Sequence, residues 1–296
     1  MSEPIRISVV TPSFNQGVFL GRTLASVASQ SHPAHEHLVF DGGSSDETLQ
    51  VLKTAGSSVR WISEPDGGQA AAVNLGLQAA SGEVIGWLNS DDVYYPGAFE
   101  TVAAAFAADP DLDVVYGAAD HIDLDDKPFE TYPTTFWDPD LLRHTCFICQ
   151  PALFFRRRVV ERIGLLDAEL RYCMDYNYWL RLADAGCRFT YLNQKLAGSR
   201  LYAENKTLSD RPAVHREIAE MFRAYQGSVP LHWVFAYAHH STVARIDRSQ
   251  NPLHFKLHLY FQTMRSQWRW NRRVGISALR ELRRASRRHA LEAASL

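Results

Sequence analysis

Short apolar runs alternate with segments of helical spacing along the first part of the chain. Residues 5–11 (IRISVVT) are rich in β-branched side chains and predict a buried strand. PSFNQG breaks that run, and residues 18–30 (VFLGRTLASVASQ) carry apolar positions at helical spacing. HLVFD (37–41) predicts a second strand closed by GGSSDET, in which Ser44 or Ser45 can cap the next helix with Glu47 in its first turn. VRWIS (59–63) predicts a third strand, GQAAAVNLGLQAASG an Ala-rich helix stopped by Gly82, and EVIGWLN a fourth strand. Pro96 opens a helix running through Ala108, and DVVYG (113–117) predicts a fifth strand. Strands alternating with helices imply parallel pairing in an α/β sheet.

The pattern then changes. Residues 118–136 predict two strands around the turn DLDDKP, hence a hairpin or a mixed sheet. ALFFRR, a helix near 157–163, the helix DYNYWLRLADAG and the strand RFTYLN follow, and from Arg211 onward the spacing predicts only helices. The expected organisation is therefore an α/β domain over residues 1–210 and a helical extension over 211–296.

Composition narrows the class. Hydrophobic residues make up 46% of the 296-residue chain and charged residues 22%, as in a soluble globular protein. No apolar run reaches the ~18 residues of a spanning helix, and no basic-then-apolar leader opens the chain. Four cysteines at this length do not make a disulfide scaffold, so a reducing, cytoplasmic setting is expected. The net charge of −2 hides an asymmetry: between Arg245 and Arg288 twelve basic residues face only Asp247 and Glu281.

Four polar clusters fall at predicted strand ends: TPSFN, DGGSSD, EPDGGQ and NSDD. Ligands of open α/β sheets bind beyond the carboxyl ends of the strands, so the coincidence points to a binding cleft, although polar turns alone also use Gly and Asp. In WLNSDD the apolar strand runs straight into Asp91 and Asp92. Adjacent carboxylates repel unless a cation or hydrogen-bond donors offset them, and one or two carboxylates plus substrate phosphates is a usual Mg²⁺ or Mn²⁺ arrangement. Asp92 equally suits the N-terminus of the following helix. In extended backbone, Asn89 and Asp91 would face one way, Ser90 and Asp92 the other.

Together SVVTPSFNQGVFLGRTLASVASQSHP, VFDGGSSDET, EPDGGQAAAVNLGLQAASGEVIGWLNSDD and MDYNYWLRLADAG resemble glycosyltransferase family 2 over roughly residues 5–205. The order and spacing of the four blocks make the resemblance specific. It implies the GT-A fold, a Rossmann-like, mostly parallel mixed sheet flanked by helices, and an enzyme that takes a nucleotide-sugar donor. Thr11, Pro12, Ser13 and Phe14 would hold the base and ribose. Asp41 stands at the family's base-binding Asp, but the second Asp common there is Gly42, which leaves base selection open. Asp66, Gly67, Gly68 and Gln69 would flank the nucleotide. Asn89-Ser90-Asp91 occupies the DxD position, with Asn89 for the first Asp; Asp91 is then the expected Mn²⁺ or Mg²⁺ ligand, and Asp92 supports it or contacts the sugar.

Asp175 precedes an amphipathic helix whose buried stripe is expected to be Tyr178, Trp179, Leu182 and Ala183. From position alone it is a helix cap worth ~1 kcal/mol; the resemblance makes it the base that deprotonates the acceptor hydroxyl. In SRLYAENKT the family commonly has Arg-x-His, and Tyr202 stands in place of that histidine; Lys206 can reach a diphosphate or be a solvated loop lysine. Gln150 and Pro151 match a position near the sugar. Cys146-x-x-Cys149 lacks a second close pair and suits buried thiols better than zinc.

The implied activity is metal-dependent, inverting transfer of a sugar to a glycan or lipid-linked acceptor, in surface polysaccharide synthesis of the bacterial type. Two rivals are an inactive sugar-nucleotide-binding module, which predicts loss of Asp91 or Asp175, and a nucleotidyltransferase, which usually needs a basic triphosphate loop that TPSFNQG lacks. The basic C-terminus fits peripheral contact with an anionic membrane, at the inner face of the plasma membrane, or docking on the acidic α/β domain. Nucleic acid is not expected, because no nucleic-acid fold accompanies it.

Overall fold

A computed structural model describes residues 4–272. Its described residues form two compact units, the first ending at Ala203 and the second beginning at Glu204. The reading of a basic helix beyond Arg272 lies outside the described residues.

In the first unit the chain forms β1 (Ile7–Ser13), α1 (Gly17–Ala28), β2 (Glu36–Asp41), α2 (Thr48–Thr54), β3 (Val59–Ser63), α3 (Gln69–Ala79), β4 (Val84–Trp87), β5 (Val93–Tyr94) and α4 (Ala98–Ala108). There follow β6 (Val114–Ile122), β7 (Pro128–Thr131), α5 (Pro139–Leu142), a 3₁₀ turn at Gln150–Ala152, β8 (Leu153–Arg156), α6 (Arg157–Ile163), α7 (Met174–Asp184) and β9 (Phe189–Arg200). One sheet takes the order β3-β2-β1-β4-β8-β6-β9-β5, with β7 beside β6. β3, β2, β1 and β4 run parallel, whereas β8 is antiparallel to both β4 and β6. This is the mostly parallel mixed sheet flanked by helices of the GT-A type.

The central strands are buried at every position, β1 and β4 alike, as expected where helices cover both faces. α3 lies so close on β1 that a Cβ at Gly76 would stand 2.1 Å from Val10 Cγ1. α4 brings Phe99 and Phe106 against Phe154 of β8 and Tyr94 of β5. Leu20 and Leu24 of α1 pack with Val39 and Leu52 on a smaller core.

The strand predicted over 113–117 and the first arm of the hairpin predicted over 118–136 form one continuous strand, β6, with β7 as the second arm; register shifts flanking Ala118 mark the join. β9 runs further than the sequence predicts, through Lys195 to Arg200, paired in parallel with β6, because the QKLAGS segment lacks a regular apolar alternation. The extension matters, because it delivers Arg200 to the end of β4, where β5 pairs with β9 through Val93↔Gly198. α2 also starts differently: Glu47 is its N-cap, without a side-chain cap, and Ser44 bonds back to Asp41 instead.

The second unit contains α8 (Lys206–Ser209), α9 (Arg211–Gln226), α10 (Leu231–Val243) and α11 (Pro252–Asn271). Ile218, Phe222, Val234, Ala238, Phe255 and Trp270 are among its buried side chains. Asn271 ties the end of α11 to the α9–α10 connection, accepting from Val229 N at 2.7 Å and donating to Val229 O at 2.8 Å. No described helix is long and apolar enough to cross a membrane.

Candidate active site

Three parallel strands end in loops that are stitched to one another. Thr11, Pro12 and Ser13 are buried at the end of β1, and Thr11 Oγ1 lies 2.9 Å from His37 Nε2. Burial holds His37 neutral, its pKa lowered to about 3. Ser13 Oγ is buried without a hydrogen-bond partner among the described residues. Phe14 turns outward, 61% exposed. Asn15, at φ 51°, redirects the chain into α1, and its backbone N donates to Ser44 Oγ at 2.7 Å while its Oδ1 accepts from Ser45 N at 2.9 Å. Asp41, buried at the end of β2, accepts from Ser44 N at 2.9 Å, Ser44 Oγ and Ser63 Oγ at 2.6 Å. Its carboxylate thus joins the β2 and β3 ends. Gly42 faces Asp66 so closely that a Cβ would stand 3.2 Å from Asp66 Oδ2, and Asp66 Oδ1 accepts from Gly68 N at 2.7 Å. Gly68, at φ 100°, turns the chain into α3, which opens on Gln69.

The fourth end is the most tightly built. Extended backbone does not persist through Asn89-Ser90-Asp91-Asp92: Asp92 N donates to Asn89 O at 3.1 Å and closes a turn. Thr23 Oγ1 of α1 lies within bonding distance of both Ser90 O (2.9 Å) and Asp92 O (2.8 Å). Asn89 uses its whole amide. Its Oδ1 accepts from Gln69 Nε2 (2.9 Å) and Trp87 Nε1 (3.0 Å), and its Nδ2 donates to Gln150 Oε1 (2.8 Å) and, at 3.4 Å, to Asp92 Oδ2. Gln150 Nε2 in turn donates to Trp87 O at 2.6 Å. Asn89 is therefore the knot between α3, β4 and the 3₁₀ turn.

The two carboxylates part company here. Asp92 is buried, 3% exposed, and its Oδ1 accepts from Arg200 N at 2.8 Å. Burial, and then the charge of Asp91, push its carboxyl well above the usual range, against the pull of that backbone bond. Asp91 is half-buried, and its Oδ2 accepts from the Tyr202 hydroxyl at 3.1 Å. Burial raises its pKa too, tempered by Tyr202 and the Arg200 charge. Tyr202 accepts from Gln16 Nε2 at 3.1 Å and remains a neutral donor, its pKa pushed up to about 12 by burial and by Asp91.

Arg200, the arginine of the Arg-x-His block, was given no role of its own by the sequence. It is 1% exposed. Its Nε donates to Asp91 O at 2.7 Å, its other guanidinium nitrogens to Asp123 O and Asp126 Oδ1, and the guanidinium lies 4.7 Å from the centre of the Phe19 ring. A buried guanidinium thus sits behind the turn and binds it to the β6–β7 connection. The signal in the sequence was its place in that block, two residues before Tyr202.

Asp175 occupies the first turn of α7, half-buried; Cys173 is the N-cap, so Asp175 is not the cap. The helix is fixed by its buried side chains, Tyr176, Tyr178, Trp179, Leu180 and Leu182 among them, while Ala183 is only partly buried. Tyr178 OH donates to Gly164 O at 3.0 Å, and Arg181 Nη1 to Leu165 O at 2.7 Å. The buried thiol of Cys149 feels both acids: burial first, then the charges of Asp92 and Asp175 among others, raise its pKa well above the usual thiol value. Both charges therefore reach the Cys149 thiol. All four cysteines are free thiols. Lys206 opens α8, in the second unit. A cavity of about 420 Å³ lies elsewhere, beside edge strand β3 and α3, with Phe40, Trp61, Ile62 and Leu75 in its wall.

Residues 8–164 match the family described as glycosyl transferase family 2. An uncharacterized glycosyltransferase of Rickettsia prowazekii is 27% identical over 68% of this chain and 65% of its own length. One from Nostoc sp. is 27% identical over 93% of this chain and 88% of its own. An O-antigen biosynthesis protein of Myxococcus xanthus is 30% identical over 66% of this chain but only 16% of that protein. Among solved structures, S. aureus TarS in complex with UDP-GlcNAc superposes with a TM-score of 0.63 at 16% identity, over 90% of this chain and 80% of that one. A mannosyltransferase of Pyrobaculum calidifontis in complex with GDP-Man and Mn²⁺ gives 0.52 at 16% identity, over 96% and 80%. At these identities the structural likeness speaks to the fold.

Proposed function

The chain belongs to glycosyl transferase family 2 and is a glycosyltransferase, and from that premise we propose metal-dependent, inverting transfer of a sugar from a nucleotide donor to a hydroxyl of a glycan or lipid-linked acceptor. The observation that supports this reading is the half-buried Asp91, held on its turn by Tyr202 and set apart from the fully buried Asp92, with Asp175 also half-buried at the start of α7.

Asp91 suits a hard divalent cation. It offers oxygen, and its side-chain hydrogen-bond partner is a neutral phenol, so its charge is available to a ligand. Among the described residues no three His, Cys, Asp or Glu side chains converge as a cage; Asp91 would hold Mg²⁺ or Mn²⁺ together with the donor's phosphates and water. When bound, such an ion offsets the negative charge that grows on the leaving diphosphate. The loop Thr11-Pro12-Ser13-Phe14, with Asp41, Asp66, Gly67 and Gly68, would receive the nucleoside, and the unpartnered Ser13 Oγ offers it a hydrogen bond. Asn89, Ser90 and Gln69 fix the turn on which Asp91 stands, and Asp92 supports it from behind.

Asp175 takes the proton of the acceptor hydroxyl. The oxygen then bonds to the anomeric carbon while the bond to the diphosphate breaks and its electron pair leaves with the diphosphate. No nucleophile of the enzyme takes part, so one displacement inverts the anomeric centre. A role in surface polysaccharide synthesis belongs to the same proposal, supported by the names of relatives such as the Myxococcus O-antigen protein, as does peripheral membrane contact through the described C-terminal helices.

The test is turnover of nucleotide sugars by the purified chain. Activity should vanish in excess chelator and return with Mn²⁺ or Mg²⁺, and NMR of the product should show the inverted anomer. Full activity in chelator, or a retained anomer, would overturn the reading.

A further inference from the structure

Helix α11 is apolar on two opposite faces. One face is inside the unit: Phe255, Thr263, Ser266 and Trp270 are buried. At about 100° per residue, the side directly opposite carries Leu253, Leu257, Tyr260, Phe261, Met264 and Trp268. These six fall in a band roughly 100° wide, where a helix of a globular protein normally presents polar residues. Leu253 is 71% exposed, Phe261 67% and Trp268 56%. Large exposed side chains scattered singly need no explanation, but a continuous stripe does.

Charge identifies what the stripe fits. Exposed Lys256 borders it on one side, and exposed Arg265 and Arg272 border it on the other. Arg269 turns away to Glu220, at 3.2 Å. No Asp or Glu lies between Pro252 and Asn271. A second copy pairing α11 with α11 would set like charges against each other, with no carboxylate on the helix to meet them. An anionic lipid surface matches both features: the apolar band enters the boundary of the acyl chains, and the cations meet headgroup phosphates. Tyr260 and Trp268 are of the type that settles at that boundary. A 20-residue helix is about 30 Å long, and lying in the surface plane it needs no spanning segment.

We infer that the outward face of α11 is a docking surface for an anionic lipid bilayer. For its use in catalysis the inference rests on the proposed transfer to a lipid-linked acceptor; the binding itself is separable from that reading.

The experiment is sedimentation of the full chain with vesicles of phosphatidylcholine alone or mixed with phosphatidylglycerol, beside donor turnover in lipid-free buffer. The chain should sediment with the anionic vesicles and be released as salt rises from 0.1 to 1 M, where the Debye length falls from ~10 to ~3 Å. Leu257→Ser combined with Phe261→Ser should lower vesicle affinity about ten-fold or more, and Lys256→Glu with Arg265→Glu by a similar factor. Both variants should keep lipid-free donor turnover and thermal stability. Equal binding to neutral vesicles, or unchanged binding by the apolar variant, would overturn the inference. So would a dimer dispersed by the same two serines, which would give the face to a second copy. A lipid-free chain visibly destabilised by them would give it to packing within the chain. If vesicles bind as expected but no donor is turned over, the catalytic reading fails and the docking surface stands.

Discussion

The turn Asn89–Asp92 and the outward face of α11 are built on opposite rules. In the turn, polar groups are inside and each has an assigned partner: Asn89 spends four hydrogen bonds, Asp92 one strong backbone bond, Arg200 a set of carbonyls and carboxylates. On α11, large apolar groups such as Leu253, Leu257, Phe261 and Trp268 are outside. The first arrangement is directional, so one substitution displaces several neighbours. The second is additive, so single changes are absorbed. The contrast suits the two roles proposed for them, one holding reacting atoms in place and the other adhering to a surface.

The sharpest break should come at the chemistry itself. Asp175→Asn should lower transfer by roughly 10²–10⁴-fold with donor affinity and fold retained, measured by steady-state kinetics and calorimetry. An unfolded variant with normal activity in its folded fraction would make Asp175 structural. Next, Arg200→Met should cost about 3–5 kcal/mol in urea unfolding, because it strips a buried charge from its partners. A loss below about 1 kcal/mol would show that the turn stands without it.

Acid tests a property that the two units share. His37 in the first and His215 in the second are both held near a pKa of about 3, by burial, and for His215 also by the stacked His240 ring at 4.4 Å. Their folded pKa lies below the unfolded 6.5, so the unfolded chain takes up protons first. Stability is full above pH 6.5 and falls as pH drops toward 3, by about 1.4 kcal/mol per pH unit for each histidine. His37→Gln should flatten the pH dependence of the urea midpoint for the first unit; an unchanged slope would count against a neutral buried His37.

Smaller effects complete the order. Asn89→Asp restores a carboxylate at the DxD position, yet here it would sit beside Asp92 Oδ2 and lose two amide donations. We expect about 1–3 kcal/mol of destabilisation in urea, and a more stable variant would show that the amide network is dispensable. At the other end, Phe261→Ser on α11 should change lipid-free stability by no more than about 0.5 kcal/mol, read from the same unfolding curves.

Much of the α/β order was legible because β1, β2, β3 and β4 are apolar runs bounded by Pro, Gly and Asp, and β3 lies at its predicted bounds. The continuity of β6 across Ala118 and the far half of β9 were not, since bulges there and a weak alternation in QKLAGS hide them. Asp91, Asp92 and Asp175 drew notice as acids at element ends. Their different burial was invisible, because it depends on Arg200 and Tyr202, more than a hundred residues beyond the turn. Asp41 was read for its outward prospects, while its Ser44 and Ser63 bonds arise from loops that meet only in three dimensions. In α11 the apolar count was plain, but nothing local says that Phe255 and Trp270 go in while Leu253 and Trp268 stay out.

The β6–β7 connection looks like an ordinary surface hairpin tip, the kind of place where a chain tolerates a cut, an insertion or new termini. Asp123 O and Asp126 Oδ1 at that tip receive the guanidinium of Arg200, and Arg22 reaches Asp126 at 3.2 Å from α1. Opening the chain there would therefore loosen the far side of the Asp91 turn. For anyone permuting or splicing this domain, the hairpin is a support of the Asp91 turn, and the permissive seams have to be sought in other loops.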